Sequence, residues 1–318
     1  MYIAVFLCCL AIGQGFGVYM PVHTTAANWF IKKRSRAMGI LQTGTGAGGI
    51  LVPLFAWIIA QYGWRMGAIV AGATLLSTAL PLATLFRHRP EQYGYLPDGE
   101  LAKTPGAPVT TSPIEMTEKL PLVEIDFSLK EAIKTRAFWA LVIAFGMSQA
   151  VSSSVVLHSI PHLTDVGIPT VMAATAAGAI GMTSILGRIS FGWLGDRVSK
   201  RHFLAIAFAL EVVGILIFSN IHSPWHIIPF LLVYCLGYGG VQPLLLSILA
   251  DFFGRKHYGT IFGSQQFFRA FIQVPLPVLT GWIFDVTGSY RIAFMLFIIL
   301  LVIAIGLMLI TKPPTKVS

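Results

Sequence analysis

Charge is the scarcest property of this chain. Only 11% of its 318 residues are Asp, Glu, Lys or Arg, where a soluble globular domain carries about 25%. Acids are rarer still, 13 against 22 basic residues. The three cysteines, Cys8, Cys9 and Cys235, sit inside apolar runs without metal-ligand spacing or a disulfide framework. No paired carboxylates, Ser-His-Asp set or metal cluster falls within the apolar runs, so nothing supports an enzyme, a cofactor or a metal site. The formal charge of +9 comes from basic residues scattered through short connections. They form no aromatic-interleaved basic face, which excludes a nucleic-acid partner.

What remains is 55% hydrophobic, and it is arranged in long runs. A hydrocarbon core of about 30 Å takes about 20 apolar residues per helix. Nine stretches qualify, near 2–25, 38–60, 66–86, 138–160, 170–194, 203–220, 225–249, 259–284 and 290–311. The first is too long for a signal-peptide core and has no basic residue before it, so it reads as a mature span. Lys32, Lys33, Arg34, Arg36, the basic residues between Arg87 and Arg136, Arg197, Lys200, Arg201, Arg255, Lys256, Lys312 and Lys316 fall on one set of connections. The opposite set has only Arg65 and Arg291. The positive-inside bias makes the first set cytoplasmic, with the C-terminus inside and the N-terminus outside a cell inner or plasma membrane.

The connection at 87–136 is rich in Pro, Gly and charge and reads as a solvated linker. Near its end "SLKE" is a capping box, with Ser128 and Glu131 placed to satisfy each other's backbone amides. Either a short helix leads from it into Phe138 and Trp139 at the membrane interface, or the linker is irregular throughout. The expected organisation is a three-helix bundle over 1–86, the linker, and a six-helix bundle over 137–318.

The two sides of the linker repeat each other. "NWFIKKRSRAMG" (28–39) has the feature order of "DFFGRKHYG" (251–259), and "PLFAWIIAQYGWR" (53–65) that of "PVLTGWIFDVTGSYR" (277–291). Phe30 to Phe253, Pro53 to Pro277 and Arg65 to Arg291 are offset by 223, 224 and 226 residues. A duplicated half implies that three helices of a 6 + 6 arrangement would precede residue 1. A natural nine-helix chain with a coincidental repeat is the alternative.

"GWLGDRVSKR" (192–201) resembles the Gly-x-x-x-Asp-Arg-x-x-x-Arg loop signature of the major facilitator superfamily, in its second-half copy. "NWFIKKRSRAMGILQTGTGAGG", "YGWR", "FWALVIAFG" and "FDVTGSYR" resemble its monocarboxylate transporter and oxalate/formate antiporter branch. The resemblance covers nearly the whole chain, as helices four to twelve. It implies an all-α, two-bundle transporter of small organic anions, coupled to a proton or a counter-anion, lying in the lipid bilayer, with a monomer expected. Where relatives carry an acid one turn before a substrate-binding Arg, this chain has Ser184 before Arg188, so an acid–arginine proton pair does not carry over.

Arg188 and Arg269 lie within spans, where a guanidinium is costly unless it faces a partner or a wet cavity. Arg269 sits about 15 Å into its helix, near the midplane; Arg188 is shallower. A fixed guanidinium can hold a carboxylate bidentately. Arg188, Arg269, Tyr238, Gln242, Gln265 and Tyr19 are the candidate substrate-binding residues. Gln14, Gln266 and His158 are further polar groups on these helices, each as readily a satisfied core residue. His158 and His162 are expected near the outer surface, and Glu211 in an inter-helix hydrogen bond. Gly44, Gly46, Gly48 and Gly49 lack the Lys-Ser/Thr ending of a phosphate loop and read as close helix packing. Gly192, Asp196, Arg197 and Arg201 form a candidate latch, in which the acid meets free amides at the start of a neighbouring helix, and the resemblance implies that this helix is the one beginning near 35–39. The plainer alternative makes Asp196 and Arg197 a polar turn and a topology signal. A non-transporting receptor-like protein or an inactive fragment is the competing function.

Overall fold

A computed structural model describes residues 19–85, 87, 89–99 and 126–315. Within them the chain is a helical assembly: α1 (Tyr19–Trp29), α2 (Arg34–Ala47), α3 (Val52–Leu85), α4 (Leu129–Ile133), α5 (Arg136–Asp165), α6 (Thr170–Leu194), α7 (Lys200–Ser219), α8 (Ile227–Phe253), α9 (Tyr258–Gln273), α10 (Pro275–Thr287) and α11 (Arg291–Ile310). Seven helical stretches among the described residues are long and apolar enough to cross a membrane, rather than the nine expected. The first expected span falls mostly outside the described residues. The second is divided, because a 3-10 turn at Gly48–Leu51 separates α2 from α3. Glycine favours such a break because it gains least from the helical state. Gly63 then takes φ 79° and ψ 164°, a conformation open to glycine, and α3 bends so sharply that Ile59 lies against Gly67. The protein is a multi-pass integral membrane protein.

Local signals set the boundaries after the linker. Ser128 accepts from the Glu131 amide while Glu131 accepts from the Ser128 amide at 2.6 Å, so the capping box is made and α4 follows it. Thr135 caps α5 by accepting from the Phe138 amide. Phe138 is not at the interface as expected; it is fully buried between Phe253 and Phe268. Trp139 is the partner that stays exposed, its indole donating to the Ile133 carbonyl. Pro275 at the first position of α10 ends the ladder of α9, splitting one expected span into two helices.

Helices α5 to α11 pack around a core that includes an aromatic ladder, Phe218, Phe230, Tyr234 and Tyr238, stacked at successive centroid distances of 4.5, 5.3 and 6.0 Å. Lipid removes the hydrophobic drive between spanning helices, so close packing and hydrogen bonds hold them. Glu211 is fully buried and accepts from Ser148 at 3.1 Å, joining α7 to α5. His162 departs from its expected surface position. It is buried among Phe218, Tyr290 and Phe294 and bonded to the Phe218 carbonyl, because the end of α5 packs against the end of α7 and the start of α11. His158 meets the Pro277 carbonyl at 3.0 Å and the Tyr290 hydroxyl at 3.5 Å. Burial, then the carboxylates of Asp165 and Asp285, push the Tyr290 phenol up, so it stays protonated.

Candidate functional site

Gln265 and Arg269 stand one turn apart on α9, on the same face. Both are buried, Gln265 wholly and Arg269 to 5% exposure. Neither amide atom of Gln265 has a partner, and neither do Nε and Nη1 of Arg269. An unpaired buried donor costs about 1–3 kcal/mol, more when charged. Two such side chains adjacent in the middle of a span therefore form a site of high free energy.

The residues around them come from both sides of the linker. Tyr19 on α1 lies within electrostatic reach of both Arg269 and Arg188. Its hydroxyl accepts from Gln42 Nε2 at 3.3 Å, and its ring packs on Phe262 of α9. His23, one turn on, bonds the Tyr19 carbonyl through Nδ1 and leaves Nε2 unpartnered. Arg188 on α6 donates through Nη1 to the Gln42 carbonyl and to Thr45 Oγ1, both at 2.5 Å, while its Nε is unpartnered. Tyr238 on α8 lies against Arg188. The structure thus brings Arg188, Arg269, Gln265, Tyr19 and Tyr238 into one region, bridged by His23, Gln42 and Thr45, which sequence reasoning passed over. The Tyr19-to-His23 spacing of four was the available signal for the first of these. Gln242 is spoken for, donating to Gln149 at 2.7 Å. Ser184 donates to the Gly181 carbonyl. Gln266 is half-buried, and Gln14 lies outside the described residues.

A second constellation occupies the end of the bundle where basic residues gather. The carboxylate of Asp196 accepts from the amides of Ser35 at 2.7 Å and Arg36 at 3.1 Å. The N-cap residue of α2, Lys33, supplies no side-chain cap, so an acid from α6's end caps α2 from across the molecule. The helices meet at bare backbone: a Cβ on Gly192 would lie 2.9 Å from the Ser35 carbonyl oxygen and one on Gly39 2.5 Å from that of Arg188. Gly46 likewise packs against Gly181 and Ile185, but Gly44 and Gly48 face open space, so the glycine series is only partly a packing device. Ser35 Oγ donates to Ser247 Oγ at 2.8 Å. Arg34 pairs with Asp251 at 2.6 Å, and Lys200 bonds the other oxygen of that carboxylate. Arg255 donates to the Asn28 carbonyl at 2.9 Å and to Glu91. Two expected latch residues point elsewhere. Arg197 stacks on Trp193 at 3.7 Å from the ring centre, and Arg201 donates to the Thr311 carbonyl, so both bind within their own side of the molecule. Arg201 lies in the first turn of α7, whereas Arg197 sits in the turn between α6 and α7 and shares the Trp193 ring with Arg36 of α2.

The sequence profile of the Major Facilitator Superfamily matches residues 1–274 and again 191–318. Monocarboxylate transporter 12-B of Danio rerio is 27% identical over 90% of this chain and 63% of its own length. Monocarboxylate transporter 12 of Rattus norvegicus is 26% identical (89% and 61%), and monocarboxylate transporter 13 of Bos taurus 25% (90% and 62%). The chain spans about three-fifths of the length of these relatives. Among solved structures, the human organic anion transporter MFSD10 (TETRAN) superposes with a TM-score of 0.65 at 14% identity, covering 90% of this chain and 66% of that one, a likeness of fold. By its profile, its helical architecture and these likenesses, the chain belongs to the Major Facilitator Superfamily and resembles its monocarboxylate transporter branch.

Proposed function

We propose that the protein is a secondary transporter that carries small organic anions, monocarboxylates foremost, by alternating access, and that it is not an enzyme. The observation that carries the reading is the unsatisfied pair on α9. Arg269 keeps two unpartnered N–H donors beside an unpartnered Gln265 amide, in a setting where a bound anion returns the cost of burial. A carboxylate meeting the Arg269 fork would gain charge-assisted bonds, with Gln265 as an added donor. Arg188 and Tyr238 stand as the second cation and hydroxyl of the same site, and Tyr19 lies within electrostatic reach of both guanidinium groups. The names of the relatives and of the structural neighbour agree with this substrate class.

In this reading residues 1–86 and 137–318 rock about the site. The Asp196 contact with α2 holds the basic, cytoplasmic end shut in the state described here. A contact of this kind contributes about 0.3–2 kcal/mol, enough to bias two states and weak enough to break.

The test is uptake of radiolabelled monocarboxylates and dicarboxylates into proteoliposomes, by this chain and by any longer natural form that contains it. Saturable uptake of at least one carboxylate is expected, reduced at least tenfold by Arg269→Gln and Arg188→Gln in protein that still inserts. Absence of saturable uptake in both forms, or full activity in both variants, overturns the proposal.

A further inference from the structure

A separate cavity of about 880 Å³ lies between the start of α5 and the end of α11. Its floor is apolar, made by Trp139, Ala140 and Ile143 on one side and Leu307 and Ile310 on the other. Its mouth is lined by Lys134, Arg136 and Lys312, all exposed, and no acid lines the cavity. Among the described residues none of these three charged side-chain groups has a hydrogen bond or ion pair. Arg136 is also locally unfavourable, as the first residue of α5, a helix end whose dipole favours negative charge and whose first turn contains no acid, whereas Lys134 caps the C-terminus of α4 and Lys312 follows that of α11. Trp139, its indole tied to the Ile133 carbonyl, marks the level at which tryptophans sit between headgroups and acyl chains.

We infer that this groove is a binding site for an anionic phospholipid, its phosphodiester held by Lys134, Arg136 and Lys312 and an acyl chain laid along the α5–α11 crevice. The lining suits an amphiphile: three like charges beside an apolar wall. Charge complementarity selects an anionic headgroup over a zwitterionic one. The groove does not include the buried Phe138 and shares no residue with the Arg188 and Arg269 region, so the site stands whether or not the chain transports.

The test is native mass spectrometry of the purified chain titrated with phosphatidylglycerol or phosphatidylcholine, with inorganic phosphate as a third arm. Phosphatidylglycerol is expected to form a defined one-to-one adduct at least tenfold more strongly than phosphatidylcholine. Each basic residue at an anionic surface accounts for about a fivefold change, so K134Q, R136Q and K312Q together should weaken it about a hundredfold. The Lys134→Arg and Lys312→Arg variants should retain it. Ala140→Trp, which fills the crevice and leaves the charges, should weaken it as well. These positions are exposed or at the groove wall, and a monodisperse, unshifted melting curve shows that the variants are folded. Equal binding of the two lipids, no effect of the triple substitution, or displacement by millimolar phosphate alone overturns the inference.

Discussion

Two arginines, both nearly inaccessible, show how the two regions of this molecule differ. Arg34 at the basic end has its carboxylate, Asp251, at 2.6 Å and further bonds to the Phe30 and Ala27 carbonyls. Arg269 in the middle of the bundle has two nitrogens with no partner. The first region spends its polar groups on one another and joins the two sides of the linker. The second leaves them spare. A buried cation that is paired within the protein holds a conformation, whereas one that is not must be answered from outside it.

The comparison predicts opposite signs for the same change. Arg34→Met should destabilise the purified protein by about 3 kcal/mol, at the low end for a broken buried pair because Lys200 still accompanies Asp251. Arg269→Met should raise the melting temperature of the anion-free protein by the equivalent of about 1–3 kcal/mol while abolishing carboxylate-induced stabilisation. Should both variants fall together in a thermal-shift series, the distinction between the regions is lost.

Gly192→Leu tests whether backbone contact is what closes the basic end. Overpacking of this kind costs about 1–3 kcal/mol, and cysteines placed at Ser35 and Ser247 should change from protected to reagent-accessible. Continued protection would mean that the ion pairs alone suffice. Asp196→Asn should be milder, about 0.3–2 kcal/mol, visible as a change in maximal transport rate larger than any change in KM. The smallest effect belongs to Arg197→Gln, within about 0.5 kcal/mol, since its guanidinium rests on Trp193. A rate change there as large as at Asp196 would return Arg197 to the latch.

Much of this organisation was legible because it follows local rules. The Ser128 and Glu131 box, the turn at Gly63 and the long apolar runs need only neighbouring residues. The partner of Asp196 was legible through the family resemblance. The choice between Gln242 and Gln265 was not, because a spanning helix is apolar toward lipid and toward its neighbours alike. Periodicity therefore does not reveal which face is inward. One glutamine meets Gln149 and the other meets nothing, and only packing decides it. The same ambiguity hid the role of Gln42, and it sent Arg201 to the wrong partner, since Thr311 is 110 residues away.

The sequence repeat aligns Asn28 with Asp251. The acid at 251 is fixed on a helix; the crossing at Arg255 instead draws its negative charge from Glu91, on the tether between the halves, beside a neutral Asn28 carbonyl. Asp98 on that tether also receives the amides of Ile31, Lys32 and Lys33. Tension or modification along this strap would consequently reach the elbow between the first two helices and one flank of the closure, leaving the Asp251 flank to hold alone.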